Sequence, residues 1–432
     1  MNAAYKQILK ATTLFSSVQG LNILINLVRT KLAAVLLGPA GVGLNGILNE
    51  TRELIHTSTN MGMDQSGIRE VSIAYGELQE SLNSGEGKEV AEQHLHDAIM
   101  LTRSWIMLFA LLGTLCMLLF AWPLSWTTFS DGSHVWQYVL LAPAVGFSTM
   151  TCGEMVIMKA LQRLKKIATV SVINVIAGLF TTIPVYYFFG VDGVVFAIDF
   201  FCLSTMVIAM WFSYRCYSPA FCVEWKFLRQ GKAMIVLGLS FVLAGLVASG
   251  SKLLTQTLIN VFGGLADVGL YNAGYTVITT ASVVCFAVLD NDFFPRLSSI
   301  FSNTSERNKT IMRQVKVGLL FSVPITAVLI IAAPILIPLL LSEEFMSIVP
   351  MVQIAAPSLI CRALYQTISY LPLSAGHSKR YFVIQALSYI VYVPIIYILY
   401  REMGVTGIGV GFLVSNIFDT IAISILMKKW YF

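Results

Sequence analysis

Twelve stretches of this chain are long and apolar enough to cross a bilayer, and that property limits the fold more than any other. Crossing a hydrocarbon layer about 30 Å thick takes about 20 mostly apolar residues in a helix. The stretches run 12–37, 41–63, 99–122, 134–159, 167–189, 193–215, 234–260, 267–291, 314–341, 345–373, 380–400 and 404–427. Backbone groups find no water inside a bilayer, so each span must close its own hydrogen bonds as a helix. The expectation is an all-α integral membrane protein with twelve transmembrane helices. Composition agrees: 56% of residues are hydrophobic and 12% charged, where soluble domains carry about 45–50% and about 25%.

Charge orients the spans. Basic residues gather in the N-terminus, in the loops after even-numbered helices and at the C-terminus. They include Arg163, Lys165 and Lys166, Lys226 and Arg229, Arg307 and Lys309, Lys379 and Arg380, and Lys428 and Lys429, whereas the opposite loops hold Arg401. Cationic loops stay in the cytoplasm, so both termini are expected there. The opposite connections are short, such as Gly38-Pro39-Ala40-Gly41 and Gly190-Val191-Asp192. The longest insert, 64–98, is acidic and reads as an interfacial helix plus loop. No small-residue cleavage site precedes the first span, which is therefore read as uncleaved.

Several function classes drop out. The net charge of +5 is spread among loops, with no long basic run, so no nucleic-acid partner is expected. The seven cysteines are scattered without a CxxC, and His94 and His96 sit in a solvated charged segment. Neither pattern calls for a metal, a disulfide framework or a cofactor. No GxxxxGK[ST] occurs, which removes ATP hydrolysis by that route.

The two halves of the chain resemble each other. At an offset of 226, Gly38-Pro-Ala-Gly-Val-Gly-Leu44 aligns with Gly264-Leu-Ala-Asp-Val-Gly-Leu270. At an offset of 214, Ala142-Pro143 matches Ala356-Pro357, and Gly190-Val191-x-Gly193 matches Gly404-Val405-x-Gly407. The repeat divides the chain into six-helix bundles, 1–218 and 219–432. Six is even, so both copies share one orientation and a pseudo-two-fold axis runs along the membrane normal, with a substrate site between the bundles.

Polar residues inside the spans fall on single helix faces. Gln19, Asn22, Asn26 and Arg29 form one stripe, and Asn45, Asn49, Arg52 and His56 a second. Ser249, Lys252, Gln256 and Asn260 form a third, and Ser358, Arg362, Gln366 and Ser369 a fourth. A charge at bilayer depth costs at least about 2.5–3.5 kcal/mol, so it faces protein or a wet cavity. At about 1.5 Å per residue, Arg52 and Lys252 lie near mid-membrane, with Arg29 and Lys31 nearer the outer face. The candidate substrate-binding residues are Arg29, Arg52, Lys252, Arg362, Lys31, Asn22, Asn26, Asn49, Gln256 and Gln366. Buried internal pairing is the competing reading for the cations, and Lys31 has the further option of reaching the outer interface. The intramembrane acids Glu50, Glu53, Glu154 and Asp290, with Asp199 and Asp292, are candidates for ion coupling or for plain counter-ions.

Lys31-Leu-Ala-Ala-Val-Leu-Leu-Gly-Pro-Ala-Gly-Val-Gly-Leu44 resembles the first-helix signature of the O-antigen and lipid III flippases. Leu340-Leu-Ser-Glu-Glu-Phe345 and Ser374-Ala-Gly-His-Ser-Lys-Arg380 are similar too. These are polysaccharide transporters of the superfamily that includes multidrug antiporters. The resemblance implies a MATE-like, V-shaped pair of bundles in a bacterial inner membrane, working by alternating access with no enzymatic step. Its implied cargo is an undecaprenyl-pyrophosphate-linked oligosaccharide carried among membrane lipids, passed on to glycan polymerisation or ligation machinery. It also implies a cationic central cavity, here Arg29, Arg52, Lys252 and Arg362. Three alternatives stand beside it: a multidrug cation antiporter, which would favour an acidic cavity; a lipid II flippase, which needs additional terminal helices; and a membrane glycosyltransferase, suggested by the DxD of Asp290-Asn291-Asp292.

Overall fold

The computed structural model describes residues 3–84, 87–219, 221–222, 225–299, 304–375 and 377–431. The first helix, α1, runs Ala3–Thr59 and is broken at Gly38, where φ is 61° and ψ −177°. Glycine adopts that backbone without a side-chain clash, and Pro39 cannot donate back to the preceding turn. One apolar text thus becomes two arms, matching the first two expected spans.

Next come α2 (Met63–Ser84), α3 (Lys88–Phe129), α4 (Val135–Ala160), α5 (Leu164–Phe189) and α6 (Val194–Tyr214), then the short α7 (Trp225–Leu228) and α8 (Lys232–Gly263). The C-terminal series is α9 (Leu265–Ser299), α10 (Thr304–Leu340), α11 (Val349–Ala355), α12 (Ser358–Ser374), α13 (Ser378–Met403) and α14 (Val405–Tyr431). Eight described helical stretches are long and apolar enough to cross a membrane, or nine if the pair 343–355 and 358–372, bent by 53°, is one span. Two of the eight, Val18–Thr59 and Leu164–Tyr214, hold 42 and 51 residues, enough for two crossings each at about 1.5 Å per residue. Gly38 and the 3-10 turn Gly190–Gly193 mark their breaks. With α9, this architecture accommodates the twelve expected crossings. The protein is an all-α, multi-span membrane protein.

The acidic insert differs from expectation in one respect. Its second part is not loop but the opening turns of α3, which is 42 residues long. The reason is packing: Leu95, Ala98 and Ile99 close a core with Val71 and Ala74 of α2 and Ile157 of α4.

The chain divides into two compact units. The first holds 1–29 and 47–249, the second 30–46 and 250–432. Inside the first unit lies a wholly buried ion pair, Arg103 on α3 with Glu154 on α4, at 3.1 Å. Ser213 donates to the same carboxylate at 2.5 Å, and Arg103 Nη1 donates to the Ser218 carbonyl at 2.7 Å. The two residues after Arg103 grip the same connecting segment. Ser104 Oγ accepts from the Cys222 amide at 2.9 Å, and Trp105 Nε1 donates to the Leu228 carbonyl at 3.1 Å. The segment leading out of α6 is thereby strapped along α3.

In the second unit, the helix after Pro39 meets α9 backbone to backbone. A methyl group at Gly43 would overlap the Leu265 carbonyl, and one at Gly269 would overlap the Pro39 carbonyl. Gly43 and Gly269 are equivalent in the repeat, as are Pro39 and Leu265. The contact is therefore symmetric about a local two-fold.

Candidate functional site

Helix α1 before its break shows how a membrane helix acquires a wet face. Leu24, Val28 and Val35 are exposed on one side. Gln19 and Asn26 are exposed as well, yet at about 100° per residue they fall on the opposite side. The apolar set suits lipid, and the polar set needs water or a polar ligand.

Asn22 and Arg29 sit at the edge of that polar face and turn toward α5. Asn22 Nδ2 donates to Ser171 Oγ at 2.7 Å. Seven residues on, Arg29 lies over the Phe201 ring of α6, 5.0 Å from its centroid. Gly178 makes room for it, since a methyl group there would stand 2.6 Å from Arg29 Nη1. The Tyr186 phenol is the other electrostatic neighbour. Among the described residues, no carboxylate pairs with Arg29.

Arg52 approaches the same turn of α6 from the second arm of α1. Its Nη1 donates to Ser148 Oγ at 2.5 Å, and Ser148 Oγ lies 3.5 Å from Cys202 Sγ. Glu53 is a loose partner at 3.5 Å, with its side chain 45% exposed, and it also faces His56 at 3.7 Å. Arg52 Nε is buried without a hydrogen-bond partner. Arg29 thus lies against Phe201, and Arg52 is linked through Ser148 to the next residue of α6, Cys202.

The remaining candidates distribute as follows. Within the first unit, Glu154 is the buried counter-ion of Arg103, Asn26 is exposed, and Asn49 and Glu50 are half-buried and engaged by neighbours. Within the second unit, Lys31 donates to the Leu339 carbonyl at 2.6 Å, closing the C-terminal end of α10. Lys252 stands 5.1 Å from the centre of the Tyr275 ring, and Gln256 donates to Asn272 at 2.7 Å. Arg362 is exposed and within electrostatic reach of Asp419, which is held by Ser388. Gln366 is half-buried and engaged. Asp290 lies on α9, outside the residues whose side chains are described.

Sequence reasoning passed over Arg103, Ser171, Asn174, Phe201 and Asp419. Arg103 falls inside an expected span, as Glu154 does in the next, and opposite charges in consecutive spans were the available signal. Phe201 carried none, because an aromatic residue in a span reads as lipid-facing.

The chain matches the profile described as polysaccharide biosynthesis protein over residues 8–301. The chain belongs to the polysaccharide biosynthesis protein family. No curated protein matches it by sequence. Among solved structures, this member of the family is similar to an inward-facing multidrug resistance MATE transporter of the MOP superfamily, at 14% identity and a TM-score of 0.73, covering 95% of this chain and 96% of that one. It is also similar to the Vibrio cholerae MATE transporter VcmN in its bent form, at 17% identity and 0.62, covering 99% and 98%. A third is a MOP superfamily transporter from Pyrococcus furiosus whose binding pocket of reverse polarity suggests a different function, at 13% and 0.61, covering 97% and 93%. Identities this low establish the fold. Family and fold together point to a membrane transporter rather than an enzyme.

Proposed function

We propose that this protein flips an undecaprenyl-pyrophosphate-linked oligosaccharide, an O-antigen or related repeat unit, from the inner to the outer leaflet of a bacterial inner membrane. The observation that carries the reading is Arg29: a cation within a span, set on an aromatic face and paired with no described carboxylate. An uncompensated charge within a membrane span is costly, and a pyrophosphate supplies the missing counter-charge. Guanidinium groups suit that role because they bind phosphate through paired, charge-assisted hydrogen bonds. Arg52, with its unmatched Nε, supports the same assignment.

In this proposal the pyrophosphate docks against Arg29 and Arg52, while the glycan lies along the polar face marked by Gln19 and Asn26. The polyprenyl tail stays in lipid. The repeated halves, 1–218 and 219–432, alternate the exposure of the headgroup, with both termini in the cytoplasm and glycan polymerisation or ligation machinery downstream. Lys252 and Arg362 are the corresponding cations of the second half. An organic cation would be repelled by Arg29, which has no described carboxylate to offset it. The fold itself tolerates a pocket of reversed polarity, as the Pyrococcus transporter shows.

The test is leaflet exchange of labelled polyprenyl-pyrophosphate oligosaccharide in proteoliposomes. Arg29→Gln is expected to slow exchange by about ten- to hundredfold, the loss that follows removal of a hydrogen bond to a charged group. Arg29→Lys should retain part of the rate. Wild-type exchange in Arg29→Gln protein would overturn the assignment. Orientation is checked with Gly264→Cys in a cysteine-free background, where an outside-only thiol reagent should label it.

A further inference from the structure

Helices α1 and α5 lie in parallel register. Asn22 meets Ser171 and Arg29 meets Gly178, so the same offset of 149 residues holds for both contacts. The seam between them is polar below Arg29 and holds more hydrogen-bonding capacity than the protein uses. Asn22 is 93% buried, since only 7% of its surface is accessible. Its amide nitrogen serves Ser171, but its Oδ1 is buried with no partner. On α5, Asn174 stands one helical turn from Ser171, on the same face, and its Oδ1 is likewise buried and unmatched. Exchanging the amide oxygen and nitrogen of Asn22 leaves one atom unmatched in either orientation. Leaving such groups unsatisfied is costly, so the seam is built for a partner.

We infer that Asn22, Ser171 and Asn174 form a subsite for sugar hydroxyl groups of the transported glycan, next to the pyrophosphate-binding Arg29. The inference rests on the proposed flippase function. The chemistry selects the ligand. The three side chains are neutral; Asn22 and Asn174 each present an unmatched carbonyl oxygen, and the Ser171 O–H, which accepts from Asn22, remains free to donate. A sugar hydroxyl donates and accepts at once, which matches an unfilled carbonyl beside a serine hydroxyl. A phosphate could take the single Ser171 O–H but would set its oxygens against the two carbonyl oxygens. Access is provided by Asn26, exposed one turn along α1 from Asn22 on the polar face. Asn22, Ser171 and Asn174 would thus read the sugar, while Arg29 reads the charge.

The experiment compares two substrates in the same proteoliposomes: bare polyprenyl pyrophosphate and the same lipid bearing the oligosaccharide. Wild-type protein is expected to exchange the glycosylated lipid faster. Asn174→Val removes an acceptor at similar volume, and Ser171→Ala removes a single oxygen. Each should lower the rate for the glycosylated lipid by roughly three- to tenfold, the worth of one or two hydrogen bonds, with the rate for the bare lipid unchanged. Equal losses on both substrates in both variants would mean that the residues only hold α1 to α5, and the inference falls. Unchanged rates on both substrates would overturn it as well. Failure of wild-type protein to exchange either lipid would instead sink the flippase reading, a result distinct from either of these.

Discussion

At the scale of single residues, similar charges have different roles, and only their neighbours tell them apart. Arg29 faces an aromatic ring and a phenol, whereas Arg103 is spent on Glu154 and on carbonyls of the connecting segment. Breaking a buried pair by removing one partner costs about 3–5 kcal/mol. Glu154→Gln and Arg103→Met should therefore each lower the melting temperature of the purified protein substantially. The double variant Arg103→Met with Glu154→Met should recover much of that loss. Single variants that melt like wild type would show the pair to be dispensable. Helical spacing made legible that Asn22, Asn26 and Arg29 recur along one helix, α1. It did not reveal which cation was already paired, because the deciding contacts join residues 51 apart at Arg103 and 172 apart at Arg29. Lys31 shows the same limit in another form. Its partner is the Leu339 carbonyl, and a backbone acceptor leaves no trace in residue type.

At the scale of elements, spans and breaks were readable because they obey local rules. Hydrophobic length gave the helices, and Gly38-Pro39 gave the bend inside α1. The helical start of α3 was not readable, since Lys88–His94 is polar text that folds by virtue of the Leu95 and Ala98 core against α2. A backbone-to-backbone helix contact in the second unit depends on Gly43 and Gly269. Forcing side chains into a packed seam costs about 1–3 kcal/mol. Gly43→Ala and Gly269→Ala are each expected to lower the melting temperature and slow transport. Gly132→Ala is the control, because nothing lies within 4 Å of its added methyl group. Equal behaviour of all three proteins would show that the seam does not need glycine.

At the scale of the whole molecule, the proposed function fixes an energy source through the sign of its cargo. A pyrophosphate moved outward carries negative charge toward the positive side of an energised membrane. Each elementary charge gains about 2.3 kcal/mol per 100 mV in that direction. An inside-negative potassium diffusion potential should accelerate outward exchange in proteoliposomes, and the opposite polarity should retard it. Indifference to polarity would mean that no net charge moves with the lipid. Gly43 and Gly269 also say something about descent. They occupy one position of the repeat and touch each other, with Pro39 and Leu265 as reciprocal partners. In a chain half this length, the same contact would be a self-complementary interface between two identical subunits, each presenting one glycine. Duplication of such a gene would convert an association dependent on concentration into a permanent one. Drift at either copy would from then on be answerable to the other.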